Sequence, residues 1–183
     1  MKQFLKTTSI PLAAALLLAA CGNSQQPAKE TGHEGHDHAA AEAPATTAAV
    51  QLKDDKLNAV YQHYLHLTNA LVSGDAAEAK IAGNAIETGA KAVEGGEKIA
   101  ADAAKIIAAA DISAQRAAYS SLSNELIALV KKSGLSSGEL YVDFCPMALN
   151  DKGAYWLSAA KDIKNPYFGD QMLTCGEVKE TLQ

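Results

Sequence analysis

Leu57-Asn58-Ala59-Val60-Tyr61-Gln62-His63-Tyr64-Leu65-His66-Leu67-Thr68-Asn69-Ala70-Leu71 decides the fold. Leu57, Val60, Tyr61, Tyr64, Leu65, Thr68 and Leu71 recur at spacings of three and four, which puts them on one face of a helix. Asp54 or Asp55 suits its N-cap. His63 and His66 lie one turn apart on this helix and read as solvent-facing polar positions in preference to a metal pair.

Three more helices follow downstream. Ser73-Gly74-Asp75 breaks the chain, and Asp75 with Glu78 forms a capping-box-like start for a second helix. Ala79, Ala82, Ala85, Ile86 and Val93 give its apolar stripe, and Gly95-Gly96 ends it. Ile99, Ala103, Ile106, Ile107 and Ala110 form a third stripe. A fourth helix starts near 111–113 and buries Tyr119, Leu122, Leu126, Leu129 and Val130. Lys131 and Lys132 favour its C-terminal dipole end, and Gly134 suits a stop. Short connections make such helices antiparallel neighbours, and the many alanines bring them close. The expected fold is mainly α, an antiparallel bundle of about four helices.

Composition changes after Gly138. Tyr141, Phe144, Tyr155, Trp156, Tyr167 and Phe168 crowd together, and turn signals such as Asn150-Asp151-Lys152-Gly153 and Asn165-Pro166 become dense. A compact, loop-rich C-terminal unit with one or two short strands is expected, one of them at Leu140–Cys145. A piece of about 45 residues buries too little to stand alone, so it should pack on the bundle as part of one domain, 51–183.

The N-terminus reads as a processing segment. Lys2 and Lys6 precede an apolar run from Ile10 to Ala20, too short to span a membrane, and Leu18-Ala19-Ala20-Cys21 looks like a bacterial lipoprotein signal. Residues 1–20 would then be cleaved and Cys21 lipidated. This places the protein in the cell envelope, lipid-anchored, touching the membrane through that anchor only. Loss of the two leader lysines takes the formal charge from −5 to −7, which disfavours nucleic acid as a partner. Residues 21–50 have the composition of a disordered tether. His33, His36 and His38 within it form an auxiliary tract for metal ions, since neutral imidazoles bind zinc and divalent copper. A solvated polar spacer is the plainer alternative.

The sulfur of the mature domain is confined to two segments, Cys145-Pro146-Met147 and Met172-Leu173-Thr174-Cys175. If Tyr141–Met147 is extended, Cys145 and Met147 share a face. If Gln171–Cys175 is helical, Met172 and Cys175 do too. Together the segments would form a cage of two thiols and two thioethers, a donor set that selects monovalent copper, or silver, over hard cations. Trp156 would wall the site from water, or serve simply as core. The rival reading is a Cys145–Cys175 disulfide in an oxidising compartment, with the methionines as core fillers. It would close a loop of about 30 residues and stabilise the fold by roughly 3–4 kcal/mol. That protein would be a stapled interaction module without metal. No Cys-x-x-Cys motif, Ser/His/Asp set or phosphate-binding glycine loop is visible, so binding is expected, not enzymatic catalysis.

Residues from about 55 to 183 resemble an uncharacterised bacterial domain family of unknown function. The resemblance rests on Cys145-Pro146-Met147-Ala148, Gly153-Ala154-Tyr155-Trp156-Leu157-Ser158, Asn165-Pro166-Tyr167-Phe168-Gly169 and Met172-Leu173-Thr174-Cys175-Gly176. Arg116 and Leu122-Ser123 also fit. That family occurs in small lipoproteins and fused to periplasmic adaptor subunits of copper/silver-type heavy-metal efflux pumps. The resemblance implies metal handling, with an efflux adaptor or pump as partner.

Overall fold

The computed structural model describes residues 49–183. The leader, Cys21 and the tract of His33, His36 and His38 lie outside the described residues. Strand β1 (Gln51–Leu52) leads into α1 (Asp55–Ser73), α2 (Ala76–Ala90), α3 (Glu97–Ala108) and α4 (Ile112–Ser133). Strands β2 (Leu135–Ser137), β3 (Leu140–Cys145), β4 (Ala154–Ser158) and β5 (Glu177–Leu182) follow.

Aspartates set the starts of three helices. Asp54 accepts the Leu57 NH, Asp75 accepts those of Ala77 and Glu78, and Asp111 accepts that of Ala114. Each bond satisfies an amide that the first helical turn leaves without a carbonyl. Helix α3 starts at Gly96 without a side-chain cap. Helix α1 ends on Gly74 in the left-handed region. Short connections then turn each helix back onto the previous one, and α4 also touches α1. Ala79, Ala82 and Ala103 are buried between the helices, which fits close approach.

The apolar face of α1 carries Leu57, Val60, Tyr61, Tyr64, Thr68 and Leu71 inward as expected. Leu65 is only half-buried, while Leu67, off the expected stripe, is fully buried. His63 and His66 are exposed, and His66 pairs with Glu78 at 2.6 Å.

Strand content exceeds the one or two short strands expected. β1 and β2 pair antiparallel beside the bundle. The other three make an antiparallel sheet in the order β4-β3-β5. Asp143 stands opposite Trp156 on β4 and Val178 on β5. On β5 the partner changes from Glu180 to Val178 as β3 steps from Val142 to Asp143, so Lys179 is an extra residue in a bulge. Its ammonium lies 5.4 Å from the centre of the Phe144 ring.

A buried hydroxyl network joins sheet to bundle. Tyr119 donates to Tyr64 Oη at 2.7 Å, Tyr64 Oη lies 2.9 Å from Ser123 Oγ, and the Leu157 NH donates to Tyr64 Oη at 2.9 Å. One phenol thus ties α1, α4 and β4 together. Arg116 on α4 donates to the Leu71 carbonyl at 2.8 Å, satisfying a carbonyl at the end of α1. A continuous apolar core runs from Leu57 in α1 to Trp156 and Leu157 in β4.

Candidate functional site

β3 and β5 bring the two cysteines together. Phe144 pairs with Glu177 at the end of the ladder, so Cys145 and Cys175 fall next to each other where the pairing stops. Their sulfurs lie 2.8 Å apart as free thiols sharing a hydrogen bond. Cys145 is fully buried and Cys175 half-buried. The bond to Cys145 and burial push the Cys175 thiol up to about 11. Cys145 pairs across the sheet with Ala154, whose small side chain leaves room on that face.

Cys175 is positioned by its backbone. The Asn165 amide donates to the Cys175 carbonyl at 2.7 Å, and the Cys175 NH donates to Met172 O at 3.0 Å. Asn165 is fully buried; its own NH bonds Leu173 O, and its side-chain oxygen accepts from the Tyr167 NH. A single side chain therefore braces the loop that delivers Cys175. The sequence marks Asn165-Pro166 as a turn, but an Asn that bonds ten residues downstream has no local signature.

Neither methionine is placed by the geometry the sequence suggested. The strand ends at Cys145, and Met147 has a helical φ/ψ of −82° and −11° in the turn that follows. Cys145 is buried, but Met147 is 46% exposed. Pro146 supplies the reason: it lacks an NH to continue the ladder, and its ring favours the turn. Residues 172–175 are not helical either. A short 3₁₀ turn, Gly169–Gln171, stops at Met172, whose φ is −149°. Met172 is half-buried. The thiol contact involves neither methionine.

Trp156 is 1% exposed and meets the Tyr167 ring edge-on, with centroids 6.0 Å apart. It shares a sheet face with Cys145 and belongs to the core cluster. No third His, Cys, Asp or Glu joins the pair among the described residues.

A buried carboxyl escaped the sequence reading. Asp143 lies on the same face of β3 as Cys145, fully buried, and neither carboxyl oxygen has a hydrogen-bond partner. Burial pushes its pKa up to about 7. The period-two pattern of β3 places residue 143 with Tyr141 and Cys145, yet nothing in it announces that this face is covered.

The turn after Met147 is strained. Leu149, Asn150 and Asp151 have φ of 56°, 58° and 63°, one left-handed turn made without glycine. Each such residue costs roughly 1–2 kcal/mol. The turn redirects the chain into β4 within the few residues available.

No curated protein and no solved structure matches the chain. Residues 60–138 match the family described as a protein of unknown function (DUF3347). That span runs from α1 through β2 and ends before Cys145, so both sulfur segments lie outside it. The helical part of this chain is thus similar to the DUF3347 family, whose function is unknown.

Proposed function

We propose that this protein is a lipid-anchored binding protein of the cell envelope that carries monovalent copper, with silver as a surrogate, and is not an enzyme. Cys145 and Cys175 would hold the ion, and Met147 and Met172 would supply thioethers as it enters or leaves. The His33, His36 and His38 tract would collect ions for the site. The cargo would be buffered or passed to a heavy-metal efflux adaptor or pump.

One observation carries this reading: two thiols from distant segments converge at 2.8 Å, with no His, Asp, Glu or third Cys completing a ligand group among the described residues. Zinc in a structural site takes four ligands, typically thiolates and imidazoles. Soft sulfur alone favours monovalent copper. Two metal–sulfur bonds, each roughly 2.3 Å for a thiolate on zinc, need a wider span than the present contact. The sulfurs must therefore separate to admit the ion, and the half-buried Cys175 is the one with room to move.

The test is competition for monovalent copper against a chromogenic chelator, on reduced protein without oxygen. One equivalent held tightly, and lost in Cys145→Ser or Cys175→Ser, is expected. Absence of binding in folded protein would refute the reading. It would favour the second reading, a disulfide-stapled interaction module, which the same thiol apposition supports.

A further inference from the structure

We infer that the Cys145/Cys175 pair is a redox gate on the proposed metal site: the dithiol holds the ion, and its oxidation to a disulfide expels it. The inference rests on the copper reading and adds its regulation. Three observations point to it.

The apposition is built by protein groups alone. Cys145 is fixed by the β3–β4 ladder, and Cys175 by the Asn165 bond to its carbonyl and its own NH bond to Met172 O. These backbone and side-chain bonds bring the sulfurs together. Their 2.8 Å contact is also shorter than the separation of two thiolates roughly 2.3 Å from one ion at a linear or trigonal angle, and so lies nearer to disulfide geometry. Finally, the two thiols differ in access. Cys175 is half-buried, whereas Cys145 is fully buried in the core.

That asymmetry fixes the order of steps. The oxidant is a disulfide, R–S–S–R, of a small thiol or of an exchange protein in the envelope. The Cys175 thiolate attacks one sulfur of that disulfide. The R–S–S–R bond breaks, a Cys175–S–S–R mixed disulfide forms, and R–S⁻ leaves to take up the proton Cys175 lost. The Cys145 thiolate then attacks Cys175 Sγ, and the second R–S⁻ departs with the proton from Cys145. Two electrons pass from the cysteines to the partner, one disulfide forms and one is reduced. Both thiolate ligands are consumed, leaving at most two thioethers for the ion.

The experiment uses the full chain carrying Cys21→Ser, which leaves Cys145 and Cys175 as its thiols, and glutathione disulfide as oxidant. Monovalent-copper affinity is measured on the reduced protein, on the oxidised protein, and after re-reduction. Thiols are counted by alkylation and mass. The expected result is an affinity loss on the order of 100-fold or more on oxidation, restored by reductant. In Cys145→Ala, glutathione should be trapped on Cys175 as a single adduct; Cys175→Ala should stay unmodified. Equal affinity in both redox states, or a pair that stays reduced, would overturn the gate while leaving the copper reading standing. Failure of the reduced protein to bind would overturn both, and so is distinguishable.

Discussion

Met147 and Met172 separate a four-sulfur site from a two-thiol site. Met147 is exposed and Met172 half-buried, so replacing either with Leu leaves the core nearly untouched. If the thioethers join the site, Met147→Leu plus Met172→Leu lowers monovalent-copper affinity by about tenfold or more, the equivalent of roughly 1.4 kcal/mol. Unchanged affinity would restrict the site to the cysteines. Asp143 gives a separate prediction, on the stability of the metal-free protein. Its neighbours on the sheet face are Tyr141, Cys145, Trp156 and Val178, and no group donates to its carboxyl. Its pKa rises from 3.8 to about 7 on folding. Below 3.8 the acid is neutral in both states and costs nothing through its charge. Between 3.8 and about 7 the unfolded chain ionises first, so stability falls as pH rises and the penalty is complete above 7. Asp143→Asn should therefore match the parent near pH 4 and exceed it by about 1–3 kcal/mol at pH 8. Urea midpoints at the two pH values check this; a difference independent of pH would sink it.

At the scale of elements, the helices and the strand at Leu140–Cys145 are legible in the sequence, whereas β4 and β5 are not. Asp54, Asp75 and Asp111 announce three helix starts because an N-cap acts within four residues, a distance sequence spacing resolves. β4 and β5 were missed because a strand is defined by a partner far along the chain. β5 is largely exposed, and Lys179 interrupts its pairing register with a bulge. The same limit governs the site. Cysteine identity is visible in the sequence, but the cysteines meet through β3–β5 pairing and the Asn165 brace. The β3–β4 connection is the tightly constrained turn of this arrangement. Gly153 has φ +76°, and a Cβ there would fall 2.5 Å from the Phe144 ring. Gly74 has a similar φ of +74° but open space around it. Gly74→Ala should cost only the left-handed penalty, about 1–2 kcal/mol. Gly153→Ala should cost at least about 1 kcal/mol more, because Phe144 must shift as well. Denaturant unfolding of both variants measures the difference, and equal losses would mean the ring moves freely.

For the molecule as a whole, the question is whether bundle and sheet form one cooperative body. The family match ends at residue 138, yet the core does not end there. Helix α4 packs on β4, and Leu140, Val142, Trp156 and Leu157 are buried in the same apolar cluster as Leu122 and Leu126. Polar groups also cross the boundary, at Tyr64. Its hydroxyl takes the Leu157 NH and the Tyr119 proton and lies beside Ser123, all in the interior. Tyr64→Phe removes that acceptor while keeping the ring, which stacks on Tyr119 at 5.4 Å. The Leu157 NH then loses its hydroxyl partner in the buried interior. Leaving such a group unpaired costs about 1–3 kcal/mol. The prediction is a loss of that size, with the unfolding transition still single. Trp156 emission reports the sheet and far-ultraviolet dichroism reports the helices, so the two signals should change at the same urea concentration in parent and variant. His63→Ala, on the exposed face of the same helix, should shift neither by more than about 0.5 kcal/mol. A Trp156 transition that precedes the helical one would show that the cysteine-bearing sheet opens on its own. The thiol pair would then be accessible without global unfolding, and its burial could not by itself protect a bound ion.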